Sequence, residues 1–300
     1  VPSSTPRQRQ RLSSGRRPAP ISLCPEHVFS TQVDRYERSK EPVTVMTEEA
    51  NEQHYGNDPA FFVAHLGPKL KYSSCEWPSS SNANGPDDGC TLAEAESATL
   101  LIYQEKAGLA SLPKGSKVLE LGCGWGSLTL ANAARFPDLS FTAFSNSPQQ
   151  VAFITGQAEQ RGLKNVTLHV EDYADFVQPA KSQVGKGVMF DAAMAIETIE
   201  HCRNIRELLD AVGNRLRPGA TLFVQSICHQ SASYMCDSGD WMGRNFFSGG
   251  SILSLNSYYH LTPPSLRLEG VEPILGDGYS RTMVAFLDNL EAKRGGMVAK

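Results

Sequence analysis

The sequence predicts an α/β fold in which helices cover both faces of a mainly parallel, doubly wound sheet. Three observations lead to this prediction. A glycine-rich strand-to-helix turn lies at 117–128, a regular alternation of short apolar runs and helical segments follows it, and an aromatic-rich stretch at about 230–265 interrupts that alternation. A sheet of this kind binds its ligands beyond the carboxyl ends of its strands.

The turn follows a short apolar run at 118–121 and contains three glycines, Gly122, Gly124 and Gly126. Without a Cβ, glycine lets the backbone turn sharply and lie close to a ligand. The helix that follows directs its free N–H groups at whatever lies over the turn. A nucleoside cofactor is the expected ligand, and the alternative is that the glycines only make a tight turn.

The spacing of the turn and the residue before it indicate which cofactor this is. The glycines read G-x-G-x-G, whereas a nicotinamide dinucleotide site reads G-x-G-x-x-G and leaves room for a pyrophosphate. Glu120 precedes them, and its carboxylate would repel a pyrophosphate but suit a cationic amino group. The sequence therefore favours S-adenosylmethionine, which carries such a group.

Two segments precede this core. Residues 1–47 are expected to form a disordered, basic segment, because the first 20 contain Arg, Ser, Pro and Gln with almost no large apolar side chains. These 20 residues are consistent with the remains of an organelle transit peptide, plastid for example, or with a plain tail on a cytoplasmic protein. Residues 48–112 are expected to form a helical extension that covers the cofactor site. Its helices begin at Asp58-Pro59 and at Thr91, whose partner in a capping box is Glu94.

Residues 113–300 are the predicted core. Strands are expected at 118–121, 140–144, 166–170, 189–195 and 221–225, with helices at 128–135, 148–161 and 205–215 between them. The stretch at 266–287 is expected to add one or two closing strands. The aromatic residues at about 230–265 suggest a cap over the substrate, or else an ordinary crossover with a small core of its own.

Composition excludes several classes of function. The net charge of −4 gives no reason to expect a nucleic-acid partner. No apolar run approaches the roughly 18 residues that a membrane span needs. The seven cysteines include no C-x-x-C pair, which is typical of a reducing compartment and not of a disulfide framework or a zinc site. No metal is expected, and the oligomeric state is not predicted.

Other cofactor contacts are expected where strands end. Asn146, with Gln150, follows the second strand and would serve the ribose hydroxyls, because no acidic residue is present there. Either Glu171 or Asp172, after the third strand, would reach the adenine amino group, or else both are solvated loop acids. Ile196 ends the fourth strand and is expected to border the cofactor.

The fourth strand is followed by the candidate catalytic residues Glu197, Glu200 and His201. If a helical turn begins there, their spacing places them on one face. A carboxylate can anchor an alkylammonium, whose pKa is near 10, and an imidazole with an ordinary pKa of about 6.5 can accept its proton. Alternatively, His201 caps a helix and the glutamates are solvated, or the carboxylates bind a metal.

The motifs together resemble the coclaurine N-methyltransferase and cyclopropane-fatty-acid synthase superfamily of class I S-adenosylmethionine-dependent enzymes, which have a Rossmann-like fold. The stretches that carry the resemblance span residues 50–290 in consistent order. They are ANEQHYGNDPAFF from Ala50, LGPKLKYSSCEW from Leu66, VLELGCGWGSLTL from Val118, FDAAMAIETIEH from Phe190, DWMGRNFFSGGSILS from Asp240 and YSRTMVAFLDNL from Tyr279.

The resemblance implies roles for particular residues. Glu200 and His201 would handle the substrate amine and its proton, Glu197 would shape the pocket, and Tyr72 and Ser73 would reach the methionine end of the cofactor. Glu197, Glu200 and His201 form the pattern E-x-x-E-H of the amine-methylating branch.

The resemblance also shows departures. Cyclopropane synthases hold a bicarbonate base with a Cys directly after a Tyr-Ser pair, the acid of an E-H pair and a His on the fifth strand. Here Ser74 takes the first position, Cys75 comes one place late, and Gln225 is on the strand. Gly278 replaces the usual His before the Tyr of the closing motif. Relatives continue past that motif, so the substrate site is expected to be incomplete or built differently.

The sequence therefore predicts an S-adenosylmethionine-dependent N-methyltransferase that acts on a small, aromatic or alkaloid-like amine. Two alternatives remain at this point. One is methyl transfer to lipid double bonds, as in cyclopropane synthases. The other is a catalytically degenerate relative that binds the cofactor.

Overall fold

The computed structural model describes residues 42–45, 58–78, 89–236, 241–245, 248–274 and 276–297. The prediction for most of residues 1–47 lies outside these ranges. Among the described helices, none combines the length and apolar character needed to cross a bilayer.

A five-stranded parallel sheet forms the centre of the molecule. Its strands are β1 (Lys117–Leu121), β2 (Ser140–Ser145), β3 (Val166–Val170), β4 (Phe190–Ile196) and β5 (Leu216–Gln225), in the order β3-β2-β1-β4-β5. Leu121 lies opposite both Phe144 and Ala195, and Ile196 lies opposite Gln225. The carboxyl ends of the strands therefore meet at one edge, and the predicted fold class is confirmed.

Helices lie before and between the strands, and the first two begin at the predicted caps. They are α1 (Pro59–His65), α2 (Leu92–Lys106), α3 (Ser127–Arg135), α4 (Pro148–Gln160), α5 (Tyr173–Phe176) and α6 (Ile205–Gly213), with 3-10 helices at Leu109–Ser111 and Ile199–His201. The side chain of Asp58 caps α1, Thr91 and Glu94 form the predicted capping box of α2, and Ser147 caps α4. These caps satisfy N–H groups that a helix start leaves without partners.

The stretch after β5 packs onto the core. It contains β6 (Cys228–His229), β7 (Tyr234–Met235), α7 (Trp241–Asn245), β8 (Ser251–Ser254) and α8 (Leu255–Leu261), and its strands pair in the order β6-β8-β7. Leu253 and Leu261 are buried in the same hydrophobic cluster as Leu119 and Phe190 of the main sheet. The stretch is therefore attached through shared apolar packing, and its role as a cap stays a prediction.

The predicted closing strands at 266–287 are wrong. The structure has a single helix there, α9 (Asp277–Met297). Arg, Met, Ala and Leu each occur twice between residues 277 and 297, and all of them favour a helix. One face of α9 also packs against the N-terminal region, where Thr282 Oγ1 accepts a hydrogen bond from Cys75 N at 3.0 Å and Asn289 Nδ2 donates to His65 O at 3.0 Å.

The start of β5 also differs from the prediction. The strand begins at Leu216 and includes Pro218 and Gly219, whereas the sequence predicted a strand only from residue 221. Pro is tolerated because β5 lies at the edge of the sheet. Its pairing with β4 shifts register between Phe190 and Ala192, which accommodates the extra residues.

Candidate active site

A cleft lies at the carboxyl edge of the sheet. Most of the residues that the sequence predicted for the site line it, namely Tyr72, Ser73, Glu120, Gly122, Gly124, Asn146, Gln150, Asp172, Ile196, Glu197 and His201. Gly126 and Glu200 are not among the described lining residues. The fold therefore brings together side chains from the N-terminal extension and from the ends of β1, β2, β3 and β4.

The three glycines of the turn differ in how much space surrounds them. All have positive φ, at 64°, 50° and 83° for Gly122, Gly124 and Gly126. A Cβ on Gly122 would lie 2.0 Å from Thr198 Oγ1, and one on Gly126 would lie 2.8 Å from Ile154. A Cβ on Gly124 would meet nothing within 4 Å. Gly122 and Gly126 therefore allow close packing, whereas Gly124 leaves open space in the cleft.

Glu120 places a buried carboxyl beneath this turn. Its side chain accepts a hydrogen bond from Thr129 Oγ1 at 2.7 Å. Burial raises the pKa of Glu120 to about 8, and the bond from Thr129 only partly opposes the shift. A cation in the cleft would favour the ionised form.

The cleft around Gln150 contains buried polar groups that have no hydrogen-bond partner among the described residues. Gln150 Oε1 accepts from Ser145 Oγ at 2.7 Å. Gln150 Nε2, Ser127 Oγ and Trp125 Nε1 are buried and have no hydrogen-bond partner in the part of the chain that the structure describes. All three side chains line the cleft. They can therefore donate to acceptor atoms of a bound ligand.

The two candidate acids after β3 are used differently. Glu171 accepts from Ser182 Oγ at 2.6 Å and from Gln183 N at 2.8 Å, so its carboxylate holds the following loop. Asp172 caps α5, and its Oδ1 accepts from Ala174 N at 2.7 Å and from Thr44 Oγ1 at 2.6 Å. Among the described bonds none ends on Oδ2 of Asp172, so this oxygen can still accept a hydrogen bond from a ligand.

A buried lysine, which the sequence analysis missed, organises the loop before α2. Lys71 is 2% exposed. Its Nζ donates to Ser73 Oγ at 2.7 Å and to the carbonyl of Ser74, and it lies 5.0 Å from the ring centre of Tyr103. Burial lowers the pKa of Lys71 and raises that of Tyr72 to about 12. This lysine fixes the loop that carries Tyr72, Ser73 and Ser74, and no sequence pattern identifies it.

Glu197 joins this loop to the ends of β4 and β5. Its Oε1 accepts from Ser74 N at 3.0 Å, from Ser74 Oγ and from Gln225 Nε2 at 2.8 Å. Its backbone has a φ of 45°, and the 3-10 turn begins only at Ile199. The expectation that a helical turn begins at Glu197, placing Glu197, Glu200 and His201 on one face, is therefore wrong, because Glu197 precedes the turn in a left-handed conformation.

Glu200 and His201 lie on different sides of this short turn. His201 is partly exposed and lines the cleft. Glu200 is 2% exposed, and its Oε1 accepts from Ile227 N at 2.6 Å. Its Oε2 has no partner among the described residues. Burial, followed by repulsion from Glu197, raises the pKa of Glu200 to about 8.

A family model described as mycolic acid cyclopropane synthetase matches residues 44–300. The chain belongs to this family. Its fold is that of class I S-adenosylmethionine-dependent methyltransferases, as the resemblance implied.

Curated relatives include both amine-methylating and lipid-modifying enzymes. (S)-coclaurine N-methyltransferase of Papaver somniferum is 30% identical over 209 residues, which cover 68% of this chain and 56% of the relative. The enzyme of the same name from Thalictrum flavum subsp. glaucum is 29% identical, covering 83% of this chain and 65% of the relative. Cyclopropane-fatty-acyl-phospholipid synthase of Escherichia coli strain K12 is 25% identical, with 80% and 56% covered. This chain thus covers less than two thirds of the length of each of these relatives.

Solved structures agree with the fold. A coclaurine N-methyltransferase bound to N-methylheliamine and SAH has a TM-score of 0.76 and 25% identity, with 90% of this chain and 73% of that chain covered. The cyclopropane synthase MmaA2 of Mycobacterium tuberculosis has a TM-score of 0.66 at 18% identity, with 85% and 87% covered. The second likeness bears on the fold alone.

The described residues of this family member contain no group of three or more metal-ligating side chains close enough to hold a metal ion. Six of the seven cysteines lie in the described ranges, and no two of these six form a disulfide with each other.

The buried carboxyl of Glu200 leads to a prediction about stability. Below about pH 4.5, its ordinary pKa, Glu200 is protonated in both the folded and the unfolded chain. Between about pH 4.5 and about pH 8, Glu200 ionises in the unfolded chain but keeps its proton in the folded chain. Ionisation therefore favours the unfolded chain, and the unfolding free energy falls as pH rises. In the wild type, the unfolding free energy should therefore fall by up to roughly 1.4 kcal/mol per pH unit across this window because of Glu200. We expect this part of the fall to be absent in Glu200→Gln.

Urea unfolding of both proteins at several pH values measures this difference. The amide of the variant resembles the neutral carboxyl in size and cannot ionise. Identical slopes for the two proteins would contradict the raised pKa.

Proposed function

We propose that the protein is an S-adenosylmethionine-dependent N-methyltransferase that acts on a small aromatic or alkaloid-like amine. The observation that carries this proposal is the position of the Glu197 carboxylate and the His201 imidazole, which line the same cleft as the glycine turn. A carboxylate and a proton acceptor beside a methyl-donor site suit an amine, which must lose a proton before it can react.

Nucleoside and amino-acid parts of the cofactor have complementary groups in this cleft. Glu120, Tyr72 and Ser73 would hold the methionine end, and Asn146 with Gln150 would hold the ribose. Asp172 would take the adenine amino group, and Ile196 would border the ring. The open space at Gly124 and the unsatisfied donor of Gln150 support this assignment. When bound, the cofactor supplies an electrophilic methyl group.

The roles of the three candidate catalytic residues follow from their placement. An alkylammonium has a pKa near 10, so its lone pair is blocked at neutral pH. Glu197, which lines the cleft, attracts the cation, and His201 accepts its proton directly or through water. Glu200 is buried and is not among the described residues that line the cleft. With its pKa raised to about 8, it is mostly neutral at pH 7. We therefore assign to Glu197 the anchoring role that the resemblance gave to Glu200.

Relatives support an amine acceptor over a lipid. The coclaurine N-methyltransferases are the more similar in sequence. Ser74 and Gln225, at positions where cyclopropane synthases hold a bicarbonate, already bind the side chain of Glu197 here. That arrangement leaves less reason to expect cyclopropane formation.

Transfer of labelled methyl from S-adenosylmethionine tests the proposal. The acceptors are a panel of tetrahydroisoquinolines and other aromatic amines, together with vesicles of unsaturated phospholipid with and without bicarbonate. We expect label in one or more amines and none in the lipid. Label only in the lipid would make the protein a lipid-modifying enzyme, and cofactor binding without any transfer would make it a degenerate relative.

A further inference from the structure

We infer that Ser74 and Gln225 are positioning residues that hold the Glu197 carboxylate in place for the substrate amine. Neither residue was assigned a role in the site by its sequence. The inference rests on the proposed function, because it specifies how the anchoring carboxylate of that function is held.

The contacts of Glu197 are concentrated on one oxygen. Ser74 donates to Oε1 through both its backbone N–H, at 3.0 Å, and its hydroxyl. Gln225 Nε2 donates to the same atom at 2.8 Å. None of the described hydrogen bonds ends on Oε2. The carboxylate is therefore held through one oxygen, and the other remains for a group that enters the cleft.

The two donors come from separate parts of the fold and are themselves fixed. Gln225 ends β5, and its carbonyl accepts from Glu197 N at 2.8 Å, so the two residues are joined through backbone as well as side chain. Ser74 belongs to the loop before α2, where Lys71 Nζ binds its carbonyl. Glu197 thus cannot shift without breaking its contacts with Gln225 of β5 and with Ser74 of the loop before α2.

The chemistry of the donors matches a charged acceptor. Three hydrogens converge on one atom, and hydrogen bonds to an ionised carboxylate are stronger than those between neutral groups. A carboxylate that is held in this way does not lose rotamer freedom when the substrate arrives, which is the benefit of preorganisation.

Ser74→Ala and Gln225→Leu test the role in turnover. We expect each to lower kcat for the amine by about tenfold or more, because small misplacements of a reacting pair are costly, while the Kd for S-adenosylmethionine stays near the wild-type value. Ser74→Thr keeps a hydroxyl and should recover most of the activity. Ser265→Ala is the matched control, since it removes another serine-to-carboxylate bond, to Asp210 Oδ1 at 2.8 Å, outside the cleft.

A double-mutant cycle separates this role from general stability. We expect Ser74→Ala and Gln225→Leu to lower the thermal midpoint and kcat less in the Glu197→Ala background than in the wild type. Additive effects would overturn the inference. An active wild type with fully active Ser74 and Gln225 variants would overturn the positioning role alone, whereas a wild type inactive on every amine would overturn the proposed function.

Discussion

Replacing His201 with alanine is expected to lower the kcat for amine methylation by about 100-fold or more at neutral pH, because positioned acid-base groups contribute on this scale. The side chain lines the cleft but lies outside the predicted cofactor contacts. The Kd for S-adenosylmethionine should therefore change little. Steady-state kinetics and calorimetry measure the two quantities separately.

The effect of pH distinguishes a proton acceptor from a group that only shapes the pocket. The fraction of free amine grows as pH approaches about 10, so the deficit of His201→Ala should shrink as the pH rises. A deficit that is the same at every pH would assign His201 to packing. His260→Ala, which removes an exposed histidine of α8, serves as the control and should keep full activity.

Replacing Glu120 with glutamine is expected to weaken binding of S-adenosylmethionine by about 100-fold, since removing one partner of a buried charged pair costs several kcal/mol. The folded state should be little affected. At pH 7 the carboxyl, with a pKa of about 8, is mostly neutral without a ligand, and glutamine is close to it in shape.

Affinity should also depend on pH in the wild type. Binding a cation requires the ionised form of Glu120, so affinity should rise by up to about tenfold per unit from about pH 6 toward pH 8. This rise should be absent in Glu120→Gln. Calorimetric titrations across that range measure it, with the exposed Glu159→Gln as a control for net charge. Equal pH profiles for wild type and Glu120→Gln would rule out the ion pair.

Sequence patterns located the centre of the sheet well because β1 and β4 are buried on both faces. Runs such as 118–121 have few alternatives to a central strand between helices. The prediction failed at the chain's later segments, where tertiary contacts decide the structure. Closing strands were expected at 266–287, yet the chain from residue 277 onward forms α9, which packs against the N-terminal region.

The sequence predicted those site residues that lie at or just after the end of a strand. It missed those whose role depends on a hydrogen bond to a residue distant in the sequence. Glu120, Asn146 and Glu197 each follow or end a strand, and the structure brings all of them to the cleft. Ser74 and Gln225 were noted only as departures from another enzyme's pattern. Their contacts with Glu197 span 123 and 28 residues of sequence. A local sequence pattern cannot identify hydrogen bonds between residues that are so far apart in the chain.

The backbone at Glu197 has a consequence for selection. A left-handed conformation costs a residue with a Cβ roughly 1–2 kcal/mol, and glycine would avoid this cost. Glycine at position 197 would, however, also remove the carboxylate that accepts hydrogen bonds from Ser74 and Gln225. The contacts of the side chain therefore offset part of the backbone strain, and a library selected for turnover should retain the acid at this position.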